Sequence, residues 1–455
     1  MKTQKILTYL GFVIFAAILL STQFQSQFWN AIALSFLMIY FWVFEVIPIY
    51  VTALFPLVFA IPLDILSKED LAQSYGDSNV YLFFGGFILA LGLEKWKVHE
   101  QVARGIISSV GESRPRILFG FIMSTGLISM WISNTATALM MLPMALAIIQ
   151  ALPKEDQHGK FSVFLMLSVA YASSIGGVGT LVGSPPNTQM ASILEKQFNI
   201  DVDFFTWMKI GMPISLLMLL IMFSIFYFAL KKEKQLNQHK FEIPKEKWNS
   251  DQVKVAGIFL TVVLLWIFKD VINNFSGINL KDENVAIFGG LLLFIVPAAN
   301  KKPLLQWSDT KQLPWGILLL FGGGLALAEM MEKNGVIDQL SLGFNQLEGL
   351  NFGWILLVVV IIAVFASEVL SNLAMVVIFV PIVAAFANQY GISVLKLAIP
   401  LTLGASLAFM LPVGTPPNAI VFSSGYLKVK DMIKYGFLLN LIGIILIVLI
   451  CSILL

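Results

Sequence analysis

The sequence predicts an all-α membrane protein with about eleven transmembrane helices, two re-entrant hairpins and two broken helices, arranged as two inverted repeats. Three observations predict it: an apolar composition, apolar stretches of spanning length, and two motifs that recur in the same order. The 455 residues are 58% hydrophobic and only 12% charged, with a mean hydropathy of +0.85. A soluble chain of this size carries about 25% charged residues. A hydrocarbon core of about 30 Å takes roughly 20 helical residues to cross, and stretches of that order recur throughout. Transmembrane β-strands would instead read as short alternating segments. The net charge of +2 gives no footprint for nucleic acid. The partner that composition demands is a lipid bilayer.

The first apolar stretch, 6–22, follows Lys2 and Lys5. It reads as a first span rather than a signal peptide, because no clear small-residue cleavage site follows it; with its connection it forms a leading segment, 1–27. Spans at 28–47, 50–65 and 80–93 come next, then a basic amphipathic stretch with Lys95, Lys97, Arg104, Arg114 and Arg116. The apolar block 117–150 is interrupted by Ser133, Asn134 and Thr135, which predicts a hairpin. A helix over 161–200 breaks at 176–187, and a crossing at 207–230 closes a first repeat, 28–230. The segment 231–253, with Lys231, Lys232, Lys234, Lys240, Lys245 and Lys247, is a polar linker. The second repeat, 254–455, offers spans at 254–273, 285–299 and 314–331. A hairpin block at 353–388, interrupted by Ser371 and Asn372, a broken helix at 395–427 and a last span at 434–455 complete it. The single cysteine, Cys451, permits no internal disulfide. His99, His158 and His239 lie in polar segments without metal-binding spacing.

Cytoplasmic loops are enriched in Lys and Arg. With the N-terminus cytoplasmic and both hairpins returning to their own side, the 95–116 stretch, the linker, Lys301 with Lys302, and Lys428 with Lys430 all fall inside. The outside receives weakly charged or acidic loops, such as Asp201 with Asp203 and Asp282 with Glu283. This is the topology of a multi-pass protein of a cell inner membrane. The internal repeat agrees with it. An offset of 238 carries Ser133-Asn134 onto Ser371-Asn372, Gly85-Gly86 onto Gly323-Gly324, and Glu94-Lys95 onto Glu332-Lys333. An offset of 231 carries Gly183-Ser184-Pro185-Pro186-Asn187 onto Gly414-Thr415-Pro416-Pro417-Asn418. Five crossings separate equivalent points, so the halves are inverted, an arrangement typical of secondary transporters.

The breaks carry chemistry. Irregular backbone at membrane depth survives only where protein or a cavity satisfies its polar groups. Proline suits the first turn of a helix, where its missing N–H costs nothing, so half-helices are expected to start at Pro185 and Pro416. Their N-termini, with those of the hairpin arms after Thr135 and Leu373, would make an anion site at the midplane. The half-helix C-termini leave carbonyls suited to a hard cation. Ser133, Asn134, Thr135, Ser371 and Asn372 add hydroxyls and amides. Ser and Asn also serve simply to pack helices, but the duplication favours a site. The 176–183 segment resembles a phosphate loop, yet it lacks the Lys-Ser/Thr of a P-loop and any βαβ unit. No Lys, Arg or His lies within 128–143, 172–190, 367–380 or 404–425. A divalent anion there would be neutralised most directly by a co-bound metal cation; this argues for sodium symport over uncoupled exchange.

These features resemble the divalent-anion:sodium symporter family, which includes bacterial and animal di- and tricarboxylate carriers. Besides both Ser-Asn tips, the resemblance rests on Glu45, Ile47, Pro48, Thr52, Ala53, Leu54 and Pro56 near the start. Near the end it rests on Ala405-Ser406, Phe409, Pro412-Val413-Gly414, Asn418, Ile420 and Val421. It covers nearly the whole chain. It implies a sodium-coupled importer of C4-dicarboxylates such as succinate, malate or fumarate, needing no cofactor beyond the co-transported sodium. It implies one sodium on Ser129, Ser133, Asn134 and the Gly183 backbone, and a second on Ser367, the Leu370 backbone, Asn372 and the Gly414 backbone. The anion would sit on Ser133, Asn134, Thr135, Ser371 and Asn372, beside Pro185 and Pro416. A homodimer and an elevator mechanism are implied too, with the hairpins and broken helices sliding against a dimerising scaffold.

The second tip departs from the family pattern. Dicarboxylate carriers commonly carry Ser-Asn-Thr at both tips; here Leu373 follows Asn372. Either Leu373 lines the anion site, which gives weight to citrate or another anion, or Thr135 alone suffices and Leu373 packs. Glu368 either carries a coupled proton or orients the hairpin through hydrogen bonds, which is favoured; Glu45 has the same two readings. An intramembrane enzyme would need paired acids or a His-rich metal site, and the spans have neither. An anion channel, a sodium-independent exchanger and a sodium/proton antiporter are the other classes to separate from symport.

Overall fold

The computed structural model describes residues 2–111, 113–231, 247–337, 339 and 351–455. Lys232, Lys234, Lys240, Lys245 and His239 lie outside the described residues. Among those described the chain is helical and has no strand. It opens with α1 (Lys2–Ser21), α2 (Gln27–Val43), the short α3 (Ile49–Thr52) and α4 (Phe55–Phe59), α5 (Lys68–Tyr75), α6 (Ser78–Lys95) and α7 (Val98–Val110). The span expected at 50–65 is therefore not one helix. Pro48 stands before α3 and Pro56 in the first turn of α4, and proline suits such starts but not a helix interior. Serine and aspartate start the next two helices: Ser67 forms a capping box with Asp70, and Asp77 caps α6. Of the basic stretch, Lys95 ends α6, Lys97 stands just before α7 and Arg104 lies within it; α1 packs against α2.

The middle of the chain holds α8 (Arg114–Ser129), α9 (Asn134–Gln150), α10 (Lys160–Gly177), α11 (Pro185–Phe198) and α12 (Phe204–Leu230). Then follow α13 (Ser250–Ile267), α14 (Lys269–Ser276), α15 (Asp282–Ile295), a 3-10 turn at Trp307–Gln312 and α16 (Trp315–Lys333). The chain ends in α17 (Phe352–Ser367), α18 (Asn372–Gln389), α19 (Leu395–Ala405), α20 (Pro416–Phe422) and α21 (Val429–Leu454). Among the described residues, seven helical segments are long and apolar enough to cross a membrane, from Lys68–Lys95 to Val429–Leu454. Shorter apolar helices, including those around 134–150 and 352–367, pack among them. This is a multi-pass membrane protein.

Two apolar cores organise the helices. One gathers α8, α10 and α12 with α17, α19 and α21. The other joins α1 and α2 to α16 and to the first turns of α18. Between them α6 and α16 run in opposite directions, tied at both ends. Lys95, at the end of α6, reaches Asp309 just ahead of α16, at 2.6 Å; Lys333, at the end of α16, reaches Asp70 just ahead of α6, at 2.6 Å. Each aspartate also accepts from a backbone N–H three residues earlier, Ser67 in one case and Gln306 in the other. Burial pushes the Asp309 carboxyl up, but the hydrogen bonds from Lys95 and Gln306 outweigh it and hold its pKa below the usual carboxylate value. Where the helices meet, Phe83 lies 4.5 Å from Phe321. Glycine permits close backbone approach on either side: a Cβ on Gly85 would stand 2.5 Å from the Ala286 backbone, and one on Gly323 would strike the Ala53 carbonyl.

Candidate anion and cation site

Both apolar blocks are interrupted where the Ser-Asn pairs stand. α8 stops at Ser129 and α9 starts at Asn134; α17 stops at Ser367 and α18 starts at Asn372. The arms thus begin two residues earlier than expected. The serine before each arm is its N-cap: Ser133 Oγ accepts from the Ala136 N–H at 3.2 Å, and Ser371 Oγ accepts from the Ala374 N–H at 3.2 Å. Such capping satisfies one donor that the helix start leaves free. The broken helices follow the prolines. α11 starts at Pro185 and α20 at Pro416. Each of these half-helices packs against an arm from the other half of the chain, α11 on α18 and α20 on α9.

At the first tip oxygens converge. Ser129 Oγ lies 2.9 Å from Asn134 Oδ1 and 2.7 Å from the Ser173 carbonyl oxygen. A hydroxyl has one proton to donate, so three oxygens share it. Ser129 and Ser173 are fully buried. Asn134 lies flat on Gly177, where any side chain would collide with its amide. Gly183 closes the cluster from the break; a Cβ there would stand 2.7 Å from the Gly177 carbonyl oxygen and 2.9 Å from that of Met130. The Thr180 hydroxyl donates to that Met130 carbonyl, tying tip to break.

The second tip is held differently. Ser367 Oγ donates back to the Val364 carbonyl at 2.9 Å, within its own helix, and Asn372 Oδ1 has no hydrogen-bond partner among the described residues. Ser367 and Asn372 therefore do not meet as Ser129 and Asn134 do. The connection to the break is Glu368, which is 4% exposed. Its carboxylate accepts from the backbone N–H groups of Phe409 at 2.8 Å, Met410 at 2.9 Å and Leu411 at 3.1 Å, and from Asn440 Nδ2 at 2.8 Å. Three of these partners are backbone N–H groups of the loop, and the fourth, Asn440, ties the carboxylate to α21. Leu370 is half-buried. Leu373 is buried and lines a cavity of about 10 Å³ with Ser371, Trp42, Ile49, Leu320 and Val377; Thr135, its counterpart, is half-exposed. Glu45 lies outside this region, exposed in a turn with φ 42°.

Sequence reasoning passed over Ser173, Thr180, Asn187, Asn418 and Asn440 as site residues. Ser173, Thr180 and Asn440 carry no sign in the sequence. Asn187 and Asn418 do, as the last letter of each duplicated Gly-x-Pro-Pro-Asn. Among the described residues, no group of three or more His, Cys, Asp or Glu side chains could hold a metal. Hydroxyl, amide and backbone oxygens are the available cation donors here, and they suit a hard monovalent ion.

The chain matches known proteins over most of its length. The family model described as sodium:sulfate symporter transmembrane region matches residues 2–454. A sodium-dependent dicarboxylate transporter, SdcS, of Staphylococcus saprophyticus is 38% identical over 432 residues, covering 90% of this chain and 82% of that one. The protein of the same name from Staphylococcus aureus is 36% identical over 466 residues, covering 97% and 89%. The YdaH transporter of Alcanivorax borkumensis, described as having an unusual topology, superposes with TM-score 0.60 at 13% identity, over 86% of this chain and 90% of that one. Neisseria gonorrhoeae MtrF superposes with TM-score 0.54 at 10% identity, over 84% and 83%. These two likenesses concern the fold alone.

Proposed function

Because this chain belongs to the sodium:sulfate symporter family, we propose that it couples the entry of sodium to that of small divalent organic anions such as succinate, malate and fumarate. It is a symporter and not an enzyme, and sodium is a co-transported ion rather than a cofactor. The observation that carries the reading is the first tip: Ser129 Oγ, Asn134 Oδ1 and the Ser173 carbonyl crowd around one shared proton. A sodium ion there would satisfy all three oxygens and supply the positive charge that no Lys, Arg or His supplies nearby. The names of the staphylococcal relatives support sodium and dicarboxylate as the pair.

The finer assignments are part of the same proposal. One sodium binds Ser129, Ser133, Asn134 and the Gly183 backbone, and the other binds Ser367, the Leu370 backbone, Asn372 and the Gly414 backbone. The anion binds Ser133, Asn134, Thr135, Ser371 and Asn372 beside the Pro185 and Pro416 half-helices, with Leu373 as an apolar wall next to Ser371. About eleven crossings, with α8–α9 and α17–α18 as re-entrant hairpins, form two inverted repeats. The antiparallel pairing of α6 with α16 through equivalent residues supports that inversion. A homodimer in a cell inner membrane, N-terminus cytoplasmic, moves the hairpin domain as an elevator.

Uptake of radiolabelled succinate into proteoliposomes tests the core of this. It should saturate, rise with an inward sodium gradient, carry net charge, and vanish when choline replaces sodium. Competition by citrate, sulfate, malate and fumarate ranks the substrates. Equal uptake with and without sodium would refute the proposal.

A further inference from the structure

We infer that Asn187 and Asn418 are positioning residues that set the two sodium sites, each by clamping two carbonyls of the break that carries the sodium-binding glycine. The inference rests on the symport reading above and goes beyond it, since neither asparagine is among the ligands assigned there. Asn187 Nδ2 donates to the Gly177 carbonyl at 2.9 Å and to the Thr180 carbonyl at 2.8 Å. Asn418 Nδ2 donates to the Ala408 carbonyl at 3.0 Å and to the Leu411 carbonyl at 3.0 Å. The offset of 231 that carries Asn187 onto Asn418 also carries Gly177 onto Ala408 and Thr180 onto Leu411. One amide, with the same two partners, is thus built twice. Thr180 and Leu411 have nothing in common as side chains, so it is the backbone bond that recurs.

The clamp touches the glycine in both halves. The Gly177 carbonyl that Asn187 holds lies 2.7 Å from where a Cβ on Gly183 would stand. The Leu411 carbonyl that Asn418 holds lies 3.4 Å from the same point on Gly414. Both asparagines are fully buried, and the Oδ1 of each has no hydrogen-bond partner among the described residues. Burying an amide with an unanswered oxygen costs free energy, which a merely space-filling position would avoid with an apolar residue. What the amide supplies, and Leu or Met cannot, is two N–H donors diverging from one nitrogen. Those donors hold carbonyls at and beyond the ends of α10 and α19, and so fix the path of the backbone to Gly183 and Gly414.

Asn187→Asp and Asn418→Asp keep the side-chain shape and replace both donors with a carboxylate that only accepts. Purified protein is titrated with sodium chloride against choline chloride, reading the sodium-dependent rise in melting temperature, which ligand binding to the folded state must produce. The same variants are assayed for uptake across sodium concentrations. Each Asp variant should need at least tenfold more sodium for half-maximal effect, yet keep most of its maximal rate at saturating sodium. Asn187→Gln, which retains both donors, should recover part of the loss. A residue that only packs would lower the amount of folded protein and leave the sodium midpoint in place; that result overturns the clamp. Should one Asp variant not fold, the other repeat's Asp variant and the similarly sized Asn187→Leu and Asn418→Leu, which also lack both donors, give the same reading. A wild type indifferent to sodium would overturn the symport reading itself, whereas a responsive wild type with equally responsive variants overturns the clamp alone.

Discussion

Asn134 and Asn372 occupy the same place, the first residue of a hairpin arm, but their surroundings differ. Asn134 Oδ1 meets Ser129, while Asn372 Oδ1 meets nothing among the described residues. Both amides are proposed to touch an ion and the anion, so Asn134→Ala and Asn372→Ala should abolish transport while folded protein persists in the membrane. Truncating one member of a buried, charged hydrogen-bonded set costs about 2–5 kcal/mol, which weakens binding by more than about tenfold. Wild-type uptake kinetics in either variant would reduce the tips to packing motifs. Leu373 breaks the symmetry between the tips. Its neighbours Trp42, Ile49 and Leu320 make an apolar wall beside Ser371. Leu373→Thr adds a donor to that wall and should raise the uptake ratio of succinate to citrate at saturating sodium, with sodium dependence intact. An unchanged ratio with a lower melting temperature would assign Leu373 to packing alone. Glu368 has the opposite character, since each of its bonds is structural. Glu368→Gln removes charge-assisted bonds worth about 1.5–3 kcal/mol each and should lower the melting temperature even without sodium.

At the level of helices, the half-helix α11 is fastened by ions at the end far from Pro185. Lys196 Nζ lies 3.1 Å from Glu329 and 2.7 Å from the Ser74 hydroxyl, while Glu329 also pairs with Lys333 at 3.0 Å. The positions equivalent to Lys196 and Glu329 are Leu427 and Leu91, so one repeat has an ionic fastening where the other has leucines. Lys196 and Glu329 are mostly buried, and removing one partner of a buried pair typically costs about 3–5 kcal/mol. Glu329→Gln should therefore lower stability markedly. The double change Lys196→Met with Glu329→Leu should recover much of the loss, which melting curves would read.

Elements of this kind differ in how far the sequence discloses them. The helix starts at Asn134, Asn372, Pro185 and Pro416 are legible because polar pairs and Pro-Pro interrupt otherwise unbroken apolar runs. The region 50–65 misleads for the opposite reason: its composition is that of a span, while Pro48 just ahead of it and Pro56 within it set two short helices. The Lys196–Glu329 fastening is invisible because its partners are far apart in the chain, and Asn440 is a lone amide in an apolar helix, answered by a carboxylate 72 residues away. The convergence of Ser129, Asn134 and Ser173 needs three helix ends to be placed first; spacing alone reaches only two of them.

For the molecule as a whole, the proposed orientation puts Asp201 outside and Lys302 inside. Cys451 is buried, which leaves a quiet background for thiol labelling. A membrane-impermeant maleimide should label Asp201→Cys in intact cells, and Lys302→Cys only after permeabilisation. The reverse pattern would invert the topology. The contact between Phe83 and Phe321 reaches further. These residues are related by the repeat offset of 238, so a residue here touches its own counterpart, as happens only beside a rotation axis. A surface that meets its own image is self-complementary, as in a two-fold dimer. Cut within the 231–253 segment and made as two separate polypeptides, the halves should find each other in the membrane and restore uptake, because α6 and α16 already meet through Phe83 and Phe321 and through an ion pair at either end.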